Sequence, residues 1–203
     1  MVVEDCWNRA CERSSVPTEI SKSWFQLIMD RYNDYNSRHY HNDKLLTFKI
    51  NLLQPNVASH LVFAIFFQYY EFDVRDFGYA ENCDAFNKFY IETGINDQKL
   101  LESVLQLLGD PQFNNADIEN DLLYFQDLDL AVFGASRDEY KSFATQLQKE
   151  YVHMDENTYK NMRLKILQTF LTIPHIFSTE LLRNRFEDIA RTNISNEIME
   201  LKQ

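Results

Sequence analysis

The chain has 203 residues and a net charge of −11, and 45% of its residues are hydrophobic. This length suits one domain with a sizeable core. The charge argues against binding to nucleic acid through its phosphates and against docking on an anionic membrane, since both require a clustered basic face. We therefore expect neither partner. Four glycines and four prolines leave too little turn chemistry for an all-β fold, so helices are favoured.

The cysteines and the apolar segments indicate the cellular compartment in which the protein is expected. Cys6, Cys11 and Cys83 are odd in number and show no CxxC spacing, as expected of reduced thiols. The apolar run "LVFAIFF" at 61–67 is too short to span a bilayer, and the N-terminus carries acids early without an apolar stretch. We expect a cytoplasmic protein without a secretory signal.

The first half of the chain shows three helical patterns. One opens at Pro17-Thr18 with Thr18 as its N-cap, and a second covers about 42–53 before Pro55 closes it. The third covers 57–70 and is apolar almost all round, which predicts a central buried helix. Residues 71–80 are predicted to form a loop.

The second half continues the helical patterns, with predicted helices at about 81–92, 97–108, 118–134, 137–151, 156–173 and 178–201. Gly109 and Gly134 are predicted to end two of these helices, and Ser136 to cap the next. No segment alternates with period two. The sequence predicts a single compact all-α domain over 17–203, preceded by an N-terminal extension over 1–16 whose order it leaves open.

Residue spacing alone does not produce a catalytic motif. His39 and His41 stand two residues apart, so they would face different ways on a helix, and HExxH, GxxxxGK, GxGxxG and GxSxG are all absent. Asp127 and Asp129 also lie two apart, in an otherwise apolar helix. Because burying an unpaired carboxylate is costly, we expect one to point outward and the other inward, hydrogen-bonded, ion-paired or bound to a metal.

Five segments match a known family in order: "RHYHN" (38–42), "AIFFQYYEFD" (64–73), "DLDLAVFG" (127–134), "EYVHMDENTYKNMRLKILQTFL" (150–171) and "ARTNISNEIMEL" (190–201). From Trp24 onward the chain resembles the predicted metal-dependent phosphohydrolases of the HD superfamily, which are helical domains. The resemblance implies a divalent metal held by a His, a His-Asp doublet and a later Asp.

The chain departs from that ligand set. The resemblance also implies a histidine that donates a proton to the leaving group, and His41 matches it. However, Leu45 stands at the first ligand position, Gln68 and Tyr69 replace the doublet, and of the ligands Asp129 alone remains. Leucine has no lone pair, an amide is a weak neutral ligand, and tyrosine binds divalent ions poorly at neutral pH. We expect no cofactor.

The resemblance further implies a pocket, whose candidate residues are Arg38, Tyr40, Asn42, Gln68, Tyr69, Asp73, Tyr159 and Arg163. Alternatively, Tyr159 and Arg163 are scaffold, with Arg163 paired to a carboxylate such as Asp129.

Three functions stay open. The first is a pseudoenzyme that has lost metal-dependent hydrolysis and binds a small phosphorylated metabolite or a protein. The second is an active phosphohydrolase on a nucleotide-like phosphoester with a rebuilt site around His41 and Asp129. It would use either metal-free acid catalysis by His41 or a site rebuilt with Asp73, Asp76 or Asp129. The third is an interaction module that uses exposed aromatic patches.

Overall fold

The computed structural model describes residues 2–75 and 78–203, and Asp76 lies outside this part of the chain. The described residues form ten α-helices and no β-strand, which confirms the all-α prediction. The helices are α1 (Val3–Arg13), α2 (Thr18–Tyr32), α3 (Asp43–Leu52), α4 (Ser59–Phe67), α5 (Tyr79–Thr93), α6 (Gln98–Leu107), α7 (Glu119–Leu130), α8 (Arg137–Glu150), α9 (Glu156–Thr172) and α10 (Glu180–Leu201). Within this part of the chain, no helix combines the length and apolar composition needed to cross a bilayer.

The chain divides into two compact units, residues 1–122 and 123–203. We call them the first unit and the second unit. The predicted division into an extension (1–16) and a domain (17–203) stays a prediction.

Helix α4 is the centre of the first unit. All seven residues from Leu61 to Phe67 are buried, because the sequence is apolar on every face of the helix. Helices α1, α3, α5 and α6 pack around it. The prediction of a central buried helix is confirmed, although the helix covers Ser59–Phe67 rather than 57–70.

Helix α1 belongs to this core. Trp7 is fully buried, and its ring centroid lies 5.1 Å from that of Phe66 and 5.4 Å from that of Phe89. Its indole N–H donates to the carbonyl oxygen and the hydroxyl of Ser21, each at 3.0 Å. Buried aromatic rings of this size dominate core energetics, so residues 3–13 contribute to the stability of the first unit.

Two helix starts differ from the sequence-based bounds. Helix α2 begins at Thr18 itself, with Pro17 at the N-cap position, because proline's fixed φ suits the entry to a helix. Helix α5 begins at Tyr79, after Gly78 in a left-handed conformation with φ of +66°. A Cβ at Gly78 would lie 2.8 Å from the Glu71 carbonyl oxygen, so the turn requires glycine.

Toward the second unit, the prediction of a single helix over 118–134 is wrong. A 3₁₀ turn at 116–118 precedes α7, which ends at Leu130, and a second 3₁₀ turn over 131–134 follows. This tighter turn packs on α10, where a Cβ at Gly134 would lie 2.4 Å from the Cβ of Phe186. The predicted cap at Ser136 is confirmed, because Ser136 and Glu139 form a capping box at the start of α8.

Substituting Gly134 tests this close packing. We expect Gly134→Ala to lower the free energy of unfolding by about 3 kcal/mol, because neither Cβ atom can move away by changing a side-chain rotamer. Gly94→Ala is the control, since a Cβ there meets no atom within 4 Å. That variant should lose only about 1 kcal/mol, from its positive φ. Urea denaturation followed by circular dichroism measures both, and equal losses would contradict the packing argument.

Candidate functional site

The candidate residues are divided between the two units. Those in the first unit, most of them near the start of α3 or the end of α4, are Arg38, Tyr40, His41, Asn42, Leu45, Gln68, Tyr69 and Asp73. Asp129, Tyr159 and Arg163 lie in the second unit.

Asn42 holds the start of α3. Its Oδ1 accepts from the backbone N–H of Lys44 at 3.0 Å, and its Nδ2 donates to the His39 carbonyl at 2.7 Å. The residue is 4% exposed. Asparagine is among the preferred N-cap residues because its side-chain oxygen satisfies an N–H that has no partner within the helix. The Asn42 side chain therefore has a structural role that accounts for its place after His41.

Arg38 holds the chain that follows α4. Its guanidinium donates to the carbonyl of Tyr69 and, at 2.7 Å, to that of Tyr70. It also lies over the ring of Tyr32, 5.6 Å from the centroid, and it is 5% exposed. Both carbonyls lie beyond the last residue of α4, so the guanidinium fixes the chain where it leaves the helix.

His41 lies among aromatic rings. Its ring centroid is 4.8 Å from that of Tyr40, 4.4 Å from that of Tyr69 and 3.9 Å from that of Phe72. The residue is 7% exposed. An imidazole so enclosed is shielded from the bulk water that hydrolysis consumes.

A buried lysine lies beside two of the candidate residues, Gln68 and Tyr69. Lys49 is on α3 one helical turn after Leu45, and it is 2% exposed. Its Nζ donates to Gln68 Oε1 at 2.8 Å and lies 4.7 Å from the ring centroid of Tyr69. Gln68 and Tyr69 thus bind an ammonium group, through an amide oxygen and an aromatic face.

The turn after α4 is fixed by Asn82, a buried residue on α5. Its Nδ2 donates to the Gln68 carbonyl at 2.8 Å and to the Glu71 carbonyl at 3.1 Å, and its Oδ1 accepts from the Glu71 N–H at 2.8 Å. This clamp fixes the backbone from which the Gln68 and Tyr69 side chains extend.

Asp73 is exposed in the loop that follows. Its carboxylate accepts from the Arg75 guanidinium at 2.6 Å and 3.0 Å and from the Arg75 N–H at 2.9 Å. These bonds are local to the loop. In residues 2–75 and 78–203, no group of three or more His, Cys, Asp or Glu side chains is arranged to hold a metal ion.

In the second unit, the inward carboxylate of the Asp127 and Asp129 pair is Asp127. It is fully buried and accepts from the backbone N–H groups of Ser178 and Thr179 at 2.8 Å and 2.7 Å, and from the Thr179 hydroxyl at 2.6 Å. The expectation that the inward carboxylate is hydrogen-bonded is confirmed. Asp129 is half-buried.

Arg163 pairs with Glu197 of α10 rather than with Asp129. The pair is bidentate, with Nε donating to Oε1 at 2.8 Å and an Nη donating to Oε2 at 3.0 Å. The Tyr140 hydroxyl also donates to Glu197. Burial acts to lower the pKa of Arg163, but the hydrogen bonds and charge of Glu197 outweigh it and the pKa is raised. This pair joins α9 to α10, as the scaffold alternative requires.

Sequence reasoning missed Lys49, Asn82, Tyr140 and Glu197. Only Lys49 carried a local signal: a lysine inside the apolar helix pattern "LLTFKINLL", one turn after Leu45. The partners of the other three are 11 to 57 residues away in sequence, beyond any local pattern.

Comparisons of this chain with models of protein families, with curated proteins and with solved structures found no match.

Substitution of Asn42 separates a structural role from a ligand-binding one. We expect Asn42→Ala to lower the free energy of unfolding by about 1 to 2 kcal/mol, because the first turn of α3 loses its cap. Asn42→Ser keeps an acceptor for the Lys44 N–H and should recover more than half of that loss. Urea denaturation provides the comparison. An unchanged midpoint for Asn42→Ala would show that the side chain does not hold the helix.

Proposed function

We propose that the chain is an HD-domain-like protein that has lost metal-dependent phosphohydrolase activity and acts by binding a ligand or a protein partner. The observation that carries the proposal is the position of the Lys49 ammonium group, 2.8 Å from Gln68 Oε1 and over the ring of Tyr69. The proposal rests on this contact together with the family resemblance.

A buried ammonium group opposes a divalent cation in two ways. It occupies the amide oxygen that would be one of the few neutral donors for the ion. It also adds a like charge within a few ångströms, where Coulomb repulsion in a partly buried site amounts to several kcal/mol. Leu45, on the same face of α3 and 2% exposed, offers no lone pair in compensation.

Two arginines of the first unit, Arg38 and Arg31, already have partners. Arg38 donates to two backbone carbonyls, and Arg31 pairs with Glu71 at 2.8 Å. A groove of about 490 Å³ runs beside them, and Asp30, Asp34 and Glu71 line it together with the two arginines. Three acids against two paired arginines do not favour a phosphate. The charges that line this groove therefore disfavour an anionic ligand and leave a neutral ligand or a protein partner as its occupant.

The alternative, an active phosphohydrolase, keeps weaker support. Hydrolysis at His41 needs water and a substrate oxygen within hydrogen-bond reach of the imidazole. The contacts of His41 with Tyr40, Tyr69 and Phe72 leave it 7% exposed. The Asp73 carboxylate accepts three hydrogen bonds from Arg75, which compete with metal ligation.

Metal binding tests the proposal directly. The purified chain is equilibrated with Mn²⁺, Ni²⁺ or Fe²⁺, freed of loosely held ions by gel filtration and analysed for metal by mass spectrometry. We expect far less than one ion per chain, because the donor set is too poor. Stoichiometric tight binding would overturn the proposal.

A rebuilt site tests the part played by Lys49. The triple variant Leu45→His, Gln68→His, Tyr69→Asp restores the ligand types that the resemblance implies, and it is made with Lys49 and with Lys49→Met. We expect the Lys49→Met form to bind metal at least about tenfold more tightly, because the like charge is removed. Equal affinities would show that the ammonium group does not oppose the ion. Circular dichroism verifies that both forms are folded.

Turnover provides an independent test. We expect the wild-type chain to release no phosphate from nucleoside monophosphates or cyclic nucleotides above the level of a His41→Ala variant purified in the same way. A rate that His41→Ala abolishes would favour the active-enzyme alternative.

A further inference from the structure

A cavity of about 200 Å³ lies within the second unit, between α8, α9 and α10. Its buried lining residues are Tyr140, Tyr159 and Asn193, and its exposed ones include Arg137, Lys141 and Gln148. None of these residues belongs to the first unit, so a ligand bound here requires no assumption about the proposed loss of a metal there.

The charged groups around this cavity pair with one another. Lys141 Nζ lies 2.7 Å from Glu200 Oε1, and an Nη of Arg137 lies 3.9 Å from the same oxygen. Glu197 is held by Arg163 and by the Tyr140 hydroxyl. An anionic ligand would compete with Glu200 for Arg137 and Lys141, whereas a neutral ligand would leave these contacts intact.

Two buried neutral side chains have polar atoms without a protein partner. Asn193 is 4% exposed, and its Nδ2 donates to the carbonyls of Phe133 and Ala135 at 2.8 Å and 2.9 Å, but its Oδ1 accepts no hydrogen bond from the described residues. The hydroxyl of Tyr159, a residue 5% exposed, likewise has no hydrogen-bond partner there. No fully enclosed side-chain oxygen or nitrogen in this part of the chain lacks a partner, so these two oxygens have access to the cavity.

These two oxygens can take a hydrogen bond only from what occupies the cavity, either water or a ligand. Burial raises the pKa of Tyr159 to about 12, so the hydroxyl keeps its proton at neutral pH and can donate as well as accept. The half-buried amide of Asn196, which also lines the cavity and has no hydrogen bond to the described residues, can do both. The lining therefore presents one hydrogen-bond acceptor, Asn193 Oδ1, and two groups that can both donate and accept, the Tyr159 hydroxyl and the Asn196 amide.

The volume limits the size of an occupant. Drug-sized ligands occupy pockets of about 300 to 1,000 Å³, whereas a cavity of about 150 Å³ accepts benzene. A cavity of about 200 Å³ thus suits one aromatic ring or a small fused pair. The rings of Tyr140 and Tyr159 in its lining offer apolar surface for contact with such a ring system.

We propose that this cavity binds a small neutral heterocycle of nucleobase size, whose adjacent donor and acceptor atoms hydrogen-bond to the Tyr159 hydroxyl, Asn193 Oδ1 and the Asn196 amide. Amide side chains pair well with the edges of such rings, since both present a donor beside an acceptor.

Calorimetric titration of the full chain with adenine, cytosine and uracil tests the proposal, with inorganic phosphate as the ionic comparison. We expect at least one base to bind with a dissociation constant of about 1 mM or tighter, the range open to a ligand of so few atoms. Phosphate should bind more weakly than that base.

Two substitutions locate the binding. Tyr159→Phe and Asn196→Ala each remove a polar group that makes no hydrogen bond to the described residues, so the fold should persist. Each should weaken binding of the base about tenfold, the effect of one lost hydrogen bond in a buried site. Asn184→Ala, an exposed change on the same helix α10, and Tyr35→Phe, in the first unit, are the matched controls and should leave the affinity unchanged.

The proposal is overturned if none of the three bases binds at about 10 mM, a result that would assign the cavity to water. It is equally overturned if binding is insensitive to both cavity substitutions, or if phosphate alone binds. None of these results bears on the metal-binding measurement in the first unit, so each proposal can fail by itself.

Discussion

The hydrogen bond from the Lys49 ammonium group to Gln68 Oε1 is the constraint around which the candidate site of the first unit is arranged. A charge that is 2% exposed must recover in protein contacts what it loses in hydration. An amide oxygen and the face of Tyr69 supply part of this, and both side chains come from the residues that follow α4. Their backbone must therefore be held still, and Arg38 and Asn82 do so by binding its carbonyls. Arg38, Gln68, Tyr69 and Lys49 thus form one connected polar arrangement between α3 and α4.

Local patterns in the sequence were enough to predict most helices, because helix formation here follows the spacing of apolar residues. The run at 61–67 predicted a buried α4, and Ser136 predicted the start of α8. The bounds were less accurate where tertiary contacts decide them. The helix predicted to reach Gly134 ends at Leu130, because Gly134 packs against Phe186, a residue more than fifty positions later.

The candidate site could be predicted only in outline. Arg38 and Asn42 were assigned to a pocket because they match a motif, and the structure shows them engaged with backbone groups. Which residue meets which across the fold is set by packing rather than by local spacing, so the partners Lys49 and Glu197 were not found. The order of residues 3–13 was left open for a related reason. Trp7 is buried by Phe66 and Phe89, which are far from it in sequence.

In the second unit, the buried carboxylates have hydrogen-bond partners within the protein, whereas two neutral oxygens at the cavity do not. Asp127 accepts three hydrogen bonds at full burial, and Glu197 accepts three from Arg163 and Tyr140. Placing these carboxylates without partners would cost several kcal/mol each. Tyr159 and Asn193 stand beside these pairs with oxygens that meet no protein group. Unlike these carboxylates, the two oxygens depend on the occupant of the cavity for a hydrogen bond, and a neutral ligand with matching donors and acceptors can supply it.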